Sequence, residues 1–504
     1  MPFGKDHVMK TRLKQMITIF VISLLFIGYA SETGYSVSQP DSSGMDHDSL
    51  VPVNPGAEEL SDQEKKADEY LTRIKKEADA AYDDCMTYGI ADWDVDTIRN
   101  LELYEFCRKM PKGGELHAHE ATFIPFDRYL DVIKNETRIC LQEGEYYGVL
   151  YAADNQDIPE DTVPLNEALD SGSVTKEELR SILVLSQEDE EAGFWSELGR
   201  SFVRIRGLNT NRDLIMRIYE EEFRYACETG VLLLELRVSC KPDDQLNTDV
   251  LTVIRDAYYH VRAEVPDFRV RVIGCGGKSE KYTVENSCDA LRSVIRLGKE
   301  LKDEYDPENP EQFIIGLDLV NEEDTGKPLE VYNDFLQSEE VTSSGLKLFL
   351  HCGESLRIDN ESVIDAYLDN SARVGHGFNL YRFPDLMQKY KESGIILEVC
   401  PMSNLRLGYE HDLRHHPGLI YLRNDVPIVI GSDDGLFMTP EPLTDDFYAA
   451  TLCWDLSIAD LKAICRRSIS GSGLSDAEND RLMKAWEADW NQFIEEITAD
   501  QGNV

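Results

Sequence analysis

Pro111-Lys-Gly-Gly-Glu-Leu-His117-Ala-His119-Glu120 reads as a short apolar strand that ends in two histidines spaced i, i+2. Side chains of a strand alternate faces, so residues two apart project to the same side. Two imidazoles on one face at a strand's end can close on a single metal ion. A His-x-His pair also arises by chance, and alone it carries little weight. Its weight comes from residues far downstream.

There, four polar clusters each follow an apolar run. Leu346-Lys-Leu-Phe-Leu350 leads into His351-Cys-Gly353-Glu354, and Ser371-Ala-Arg-Val374 into Gly375-His376-Gly377. Ile395-Ile-Leu-Glu-Val399 leads into Cys400-Pro-Met-Ser403-Asn404, and Pro427-Ile-Val-Ile430 into Gly431-Ser432-Asp433-Asp434. In a (β/α)8 barrel, functional side chains gather at the C-terminal ends of the parallel strands. Further strand patterns at 231–238, 268–273 and 313–319 bring the number of strands to eight. Amphipathic helical stretches such as 211–229, 248–264 and 286–305 separate most of them. The alternation predicts an α/β fold, a (β/α)8 TIM barrel over residues 111–490 with a tail at 491–504. The interval between the first two strands is too long for one crossover, so 122–187 reads as an inserted subdomain over the C-terminal face. Residues 57–110 read as an N-terminal helical extension, placed on the barrel's flank or on a second subunit.

The chain has 95 acidic against 51 basic residues, a formal charge of −44. Such a surface repels nucleic-acid phosphates and anionic membranes. At the N-terminus, Lys10, Arg12 and Lys14 precede an apolar run over 16–27, and Gly28-Tyr29-Ala30 offers small residues for cleavage. Residues 1–30 therefore read as a secretory signal, too short in its apolar part for a comfortable membrane span. Residues 31–56, rich in Ser, Asp, Gly and Pro, read as a disordered linker. The expectation is a secreted protein, or a periplasmic one in a host with two membranes, free of the membrane after cleavage. The 11 cysteines show no C-x-x-C zinc motif and no dense disulfide spacing, so at most one or two bridges are expected.

A mononuclear zinc site needs a few nitrogen or oxygen ligands and one open position. His117, His119, His351 and Asp433 supply such a set from strands one, five and eight, for one Zn2+ per subunit. Zinc brings a bound water toward neutral pKa. Glu354 is placed to protonate the departing or electron-accepting atom, while His376 can take a proton from the water or hold it in an attacking orientation. Asp434 can accept a hydrogen bond from substrate. Each has an ordinary alternative: His376 as a turn histidine, Asp434 as a helix cap, Glu354 as a solvated loop acid. Taken together those alternatives are poor, because all the sites fall at strand ends.

His117-x-His119, His351-x-Gly353-Glu354, His376-Gly377 and Ser432-Asp433-Asp434, in this order, resemble the adenosine deaminase family of the amidohydrolase superfamily. Met110-Pro-Lys-Gly113, Asp318-Leu-Val320 with Glu323-Asp-Thr-Gly326, and Glu398-Val-Cys-Pro-Met-Ser-Asn404 resemble its secreted branch, the adenosine deaminase-related growth factors. The resemblance implies hydrolysis of adenosine and 2′-deoxyadenosine to the inosines and ammonia, by attack of zinc-bound hydroxide on C6. In that scheme Glu354 protonates N1, Asp434 binds N7, and Asp433 ligates zinc and shares proton transfer with His376. It also implies a homodimer through the N-terminal helices, and places Trp195 in the substrate region, where it otherwise reads as a helix-packing aromatic.

Departures from the family pattern cluster on substrate contacts. Glu120 stands in place of an aspartate, Asn321 in place of a glycine that lets backbone approach the purine, and Gly435 in place of a proline. Cys352 replaces alanine, and the loop at Gly277 lacks a histidine expected near the ribose. Two rival readings therefore stand beside adenosine deamination: a zinc hydrolase of the same fold acting on another aminopurine, nucleoside or nucleotide, and an extracellular binding protein or growth factor with a vestigial site.

Overall fold

The computed structural model describes residues 59–81, 98–186 other than 143, 145, 146 and 157, and 193–499. The predicted signal and linker, residues 1–56, lie outside these, as does the end of the tail. Eight parallel strands form one sheet in sequence order: β1 (Gly113–His119), β2 (Val231–Ser239), β3 (Arg269–Gly277), β4 (Ile314–Val320), β5 (Lys347–Cys352), β6 (Arg373–His376), β7 (Ile396–Val399) and β8 (Ile428–Ile430). The sheet closes on itself just past β8. There the Asp433 N–H donates to the His117 carbonyl at 2.8 Å, and Ala118 bridges Asp433 in parallel fashion. Closure thus happens at the mouth, between two segments that carry candidate ligands. The predicted (β/α)8 barrel is the observed fold.

Strand ends differ in detail from the sequence expectation. His351 lies within β5 and His376 is the last residue of β6, rather than beyond their strands. The helix expected over 286–305 stops at Glu300, because Leu301 turns extended and Lys302–Asp303 pairs with Glu311–Gln312. Asp303 is there tied to Arg271 and Arg262, a tertiary anchor that helical periodicity does not register.

The extension contributes helices α1 (Asp62–Ala81) and α2 (Glu102–Lys109). Ala67, Leu71, Ile74 and Ala78, spaced at helical period, bury the inner stripe of α1 completely. Full burial of Leu71 or Ile74 contributes ~1.5–3 kcal/mol each. The partner surface is the barrel's own flank. Trp490 of α4 (Asp476–Ala499) donates its indole N–H to Glu64 at 2.9 Å, and Lys462 of α3 (Ile458–Ser470) pairs with the same carboxylate. α4 runs through 491–499, so most of what reads as a C-terminal tail is helix, held by buried Phe493 and Ile494. The alternative of a helix whose apolar face waits for a second subunit is not what this stripe does.

After β1 come helix Phe126–Ile133, a three-stranded antiparallel sheet (Thr137–Cys140, Leu150–Ala152, Thr162–Pro164) and helices Leu165–Ser171 and Lys176–Leu183. Their shared apolar cluster also takes in Leu198 of helix Phe194–Ile205 and Leu436, Phe437 and Met438, just beyond Asp434. The Leu185 N–H donates to the Phe437 carbonyl at 2.8 Å. The ten described cysteines are all free, eight of them buried. Among the described residues no helix is long and apolar enough to cross a membrane.

Candidate active site

Alternation along the strands stacks charged residues in the barrel interior. Arg237 of β2 bonds to Asp318 of β4 at 2.9 Å and to Glu398 of β7. Arg373 of β6 bonds Glu398 at 2.6 Å and also reaches Glu235 of β2. All five are buried. Burial opposes ionisation of Glu398, but Arg237 and Arg373 overcome it and hold the carboxyl below its usual range. Burial likewise opposes Asp318, and the His351 ring and Arg237 hold it low.

These two carboxylates orient the histidines above them. An ionised carboxylate only accepts, so His117 donates Nδ1–H to Glu398 at 2.7 Å and His351 donates Nδ1–H to Asp318 at 2.6 Å. With Nδ1 engaged below, each ring turns its Nε2 toward the mouth, the orientation in which a metal is bound. His117 Nε2 is buried with no hydrogen-bond partner. Two glycines make room for that ring. A Cβ on Gly375 would sit 2.8 Å from His117 Cε1, and one on Gly431 would sit 2.8 Å from His117 Cβ.

His117, His351, His376 and Asp433 each bring one potential ligand atom into a group spanning no more than 4.8 Å, and His119, Asp433 and Asp434 form a second group that shares Asp433. His119 Nε2 lies 3.1 Å and His117 Nε2 3.5 Å from Asp433 Oδ1. The larger group therefore contains His376, which reads from sequence as catalytic, and leaves out His119, which reads as a ligand. His376 Nε2 is 3.5 Å from Glu354 Oε1 and 3.9 Å from Asp433 Oδ2. His376 (φ +60°) and Asp433 (φ +57°) both have left-handed backbone, which costs a non-glycine residue ~1–2 kcal/mol. Such strain at two facing strand ends belongs with a functional constraint.

Glu354, His376 and Asp434 are all buried, and Glu354 Oε1, His376 Nε2 and Asp434 Oδ1 have no hydrogen-bond partner. Burial, reinforced by the Asp433 carboxylate, pushes Glu354 well above the usual carboxyl range. Burial likewise raises Asp434, against the pull of His119 and with the help of Asp433. Burial lowers His376 well below the usual imidazole range, with His117 adding to the effect. Asp434 makes no side-chain cap to the short helix Gly435–Met438, so the helix-cap alternative fails. The buried Glu354 is not a solvated loop acid.

The other predicted contacts sit around the rim. Glu120 accepts a hydrogen bond from the Ser239 N–H at 3.0 Å, tying the ends of β1 and β2. Asn321, where a glycine is expected, keeps glycine-like backbone at φ +96°. Its Oδ1 lies 3.0 Å from where a Cβ on Gly277 would sit, and Tyr282 Cε2 lies 2.5 Å from that point. The place expected for a histidine is therefore taken by Tyr282 and the Asn321 amide. A Cβ on Gly435 would meet Pro442 at 2.6 Å, which accounts for glycine there, and Cys352 points into the main hydrophobic cluster. Trp195 donates its indole N–H to the Tyr409 hydroxyl at 2.8 Å, linking the insertion side to the segment after β7.

Several contributors are given no role by the sequence, although Glu323, Ser403 and Asn404 stand in its motifs. Ser403 donates to Asp433 Oδ2 at 2.7 Å. Lys278, fully buried, donates to Glu323 at 3.0 Å and to the His351 carbonyl at 2.9 Å. Glu323 also accepts from the Gly353 N–H at 3.1 Å, anchoring the turn that carries Glu354. Asn404 and His416 pack behind His376. A polar residue inside an apolar strand, as at Asp318 or Glu398, and a strand-end position, as at Ser403 and Asn404, are the cues available beforehand.

Comparison with known proteins bears on the family and the fold. The chain is 28% identical over 434 residues to adenosine deaminase 2 of Dictyostelium discoideum, covering 80% of this chain and 76% of that protein. Its fold is similar to the Arabidopsis N6-mAMP deaminase, at TM-score 0.56 and 18% identity, over 76% of this chain and 99% of the other. It is also similar to a Burkholderia ambifaria amidohydrolase solved with bound Zn, at TM-score 0.51 and 15% identity, over 79% and 94%. The sequence pattern described as adenosine deaminase matches residues 175–488, which takes in β2 to β8 and leaves β1 with its histidine pair ahead of it. With more than half its length matched and the barrel closed at the histidine pair, the chain belongs to the adenosine deaminase family of hydrolases.

Proposed function

We propose that this protein is a secreted, zinc-dependent adenosine deaminase that converts adenosine and 2′-deoxyadenosine to the corresponding inosines and ammonia. One observation carries the reading: four buried polar atoms, on His117, His376, Glu354 and Asp434, lack partners and belong to side chains clustered around Asp433 at the barrel mouth. Native proteins rarely leave such atoms unpaired without a ligand to satisfy them. The relative named adenosine deaminase 2 supports adenosine as that ligand.

The donor set fits zinc. Bare imidazole nitrogens held by carboxylate partners, together with Asp433, are the nitrogen and oxygen ligands zinc prefers. His117, His119, His351 and Asp433 would hold it, and the zinc-containing fold neighbour supports that choice of metal. Zinc bound there supplies Lewis acidity that makes water nucleophilic near neutral pH. Glu354, kept protonated by burial, donates to N1 of the purine and draws electron density from C6. Asp434 faces N7, and its raised pKa lets it donate there as a neutral carboxyl. His376 and Asp433 face the attacking oxygen. Glu120, Asn321 and Trp195 line the substrate side, with residues 122–187 as a subdomain over the mouth. The charged faces of α1 and α2 remain for a homodimer.

Asn321 and Gly277 favour a second reading, in which another aminopurine nucleoside or nucleotide is preferred. An ultraviolet assay of zinc-loaded protein with adenosine, 2′-deoxyadenosine, adenine and AMP separates the two. Turnover of adenosine supports the first. Turnover of AMP or adenine without adenosine sinks it, and no turnover of any aminopurine supports a vestigial site. Secretion is tested by sequencing the N-terminus of protein recovered from culture medium, which should begin near residue 31.

A further inference from the structure

We propose that His416 and Asn404 lock His376 in the tautomer with its proton on Nε2, so that His376 meets the reacting atoms as a hydrogen-bond donor and not as a base. This rests on the deaminase reading of the site. It settles which of the two roles open to His376 the fold permits.

The argument starts from a group that can only donate. The backbone N–H of Gly418 points at His416 Nδ1 from 3.0 Å. That nitrogen must offer a lone pair, so the neutral His416 ring carries its proton on Nε2. His416 is buried, and burial pushes its pKa down to about 3, so the ring stays neutral. Its Nε2 lies 3.0 Å from Asn404 Oδ1 and donates to it. With its oxygen thus engaged, the Asn404 amide turns its NH2 toward His376 Nδ1, 3.4 Å away. An amide NH2 has no lone pair to offer, so His376 Nδ1 is the acceptor. The single proton of neutral His376 therefore sits on Nε2. Amide and imidazole orientations follow from the network of partners, and here the network begins at a backbone donor with one possible polarity.

The Nε2–H faces Glu354 Oε1 at 3.5 Å and Asp433 Oδ2 at 3.9 Å, with no closer partner. It thus projects between two carboxyl groups into the space left for the reacting atoms. A nitrogen already bearing a proton cannot take another, and the ring's remaining lone pair is occupied by Asn404. His376 can steady an attacking oxygen by donating to it. Asn404 and His416 are positioning residues that act through His376. Asn404 lies in the helix after β7, His416 caps the next helix (Pro417–Arg423) and His376 ends β6, so only the folded barrel assembles the relay.

The test is a two-bond 1H–15N correlation spectrum of the full chain with 15N-labelled histidine, recorded zinc-loaded and after chelation. His376 signals are assigned as those missing from a His376→Gln sample. Expected is a His376 Nδ1 at the shift of an unprotonated nitrogen and an Nε2 at that of a protonated one. A wild-type spectrum with the proton on Nδ1 overturns the proposal. Asn404→Asp keeps the shape but replaces the donor by an acceptor, so Nδ1 should gain a proton. In the same variant kcat should fall ~10²-fold, the scale of one misplaced acid–base group, with KM little changed. An Asn404→Asp spectrum with Nδ1 still bare also overturns it. Because the spectrum needs no substrate, a wild-type protein that fails to turn over adenosine would sink the deaminase reading and leave the tautomer measured.

Discussion

Two layers of the same barrel interior treat polar groups in opposite ways. In the lower layer Arg237, Arg373, Glu235, Asp318 and Glu398 are buried and paired with one another. In the upper layer His117, His376, Glu354 and Asp434 each keep a buried atom without a partner. The lower layer obeys the rule that buried charge is paired, and the upper layer breaks it. Pairing below makes the exposed valences above possible, because Glu398 and Asp318 are what turn the Nδ1 atoms of His117 and His351 away from the mouth. The floor is built for orientation and the mouth for a ligand.

The largest effect should come from breaking the floor. Glu398→Gln leaves Arg237 and Arg373 without their shared carboxylate and frees the His117 ring. Losing one partner of a buried pair costs ~3–5 kcal/mol, and freeing a histidine proposed as a ligand should weaken metal binding ~10–100-fold. Urea unfolding and zinc titration check both, and a stable variant with unchanged zinc affinity would erase the distinction between the layers. Next, His117→Ala should lose the metal while the fold persists, since Glu398 loses the His117 Nδ1–H but keeps Arg237 and Arg373 as partners. Metal analysis after gel filtration is the check, and stoichiometric zinc in the variant removes His117 from the ligand set.

Glu354→Gln sharpens the contrast. It should keep the metal and lose turnover by ~10²–10⁴-fold, because the proposed proton donor to N1 is gone. Its stability effect has the opposite sign to that of Glu398→Gln. Burial raises the folded-state pKa of Glu354, so above the ordinary value of 4.5 the folded state holds a proton that the unfolded state has released. Stability is therefore lost as pH rises through that window. Metal-free Glu354→Gln should melt higher than wild type at pH 8, with the gap closing by pH 4. A wild-type protein as stable as the variant at pH 8 contradicts the raised pKa. The smallest effect belongs to the rim. Asn321→Gly relieves a left-handed backbone and should stabilise by ~1 kcal/mol, while shifting KM between adenosine and other aminopurines more than kcat.

The barrel was legible because its signals are local. Apolar runs of strand length ending in His351, His376 or Asp433 repeat along the chain, and period-two spacing puts His117 and His119 on one face. Glu354 and Asp434 follow from the same strand-end pattern. The helix end at Glu300 was not legible, since Asp303 is held by arginines on other elements. Neither was the run of α4 past residue 491, where Phe493 and Ile494 pack into the main core. Trp195 could be placed near the substrate side only by resemblance, and its partner Tyr409 had no signal.

What the sequence by itself determined is the inventory: which residues end the strands, which chemistry they can support, and the family they belong to. Spacing along the chain is enough for that, because strand geometry converts position directly into face. What only the tertiary structure decided is the polarity of each group. Whether a histidine shows a bare nitrogen or a proton, and whether a carboxyl is charged, depends on partners such as Glu398, Asp318, Asn404 and His416. These are tens to hundreds of residues away from the histidines they govern, and hydrogen bonds and burial act through space.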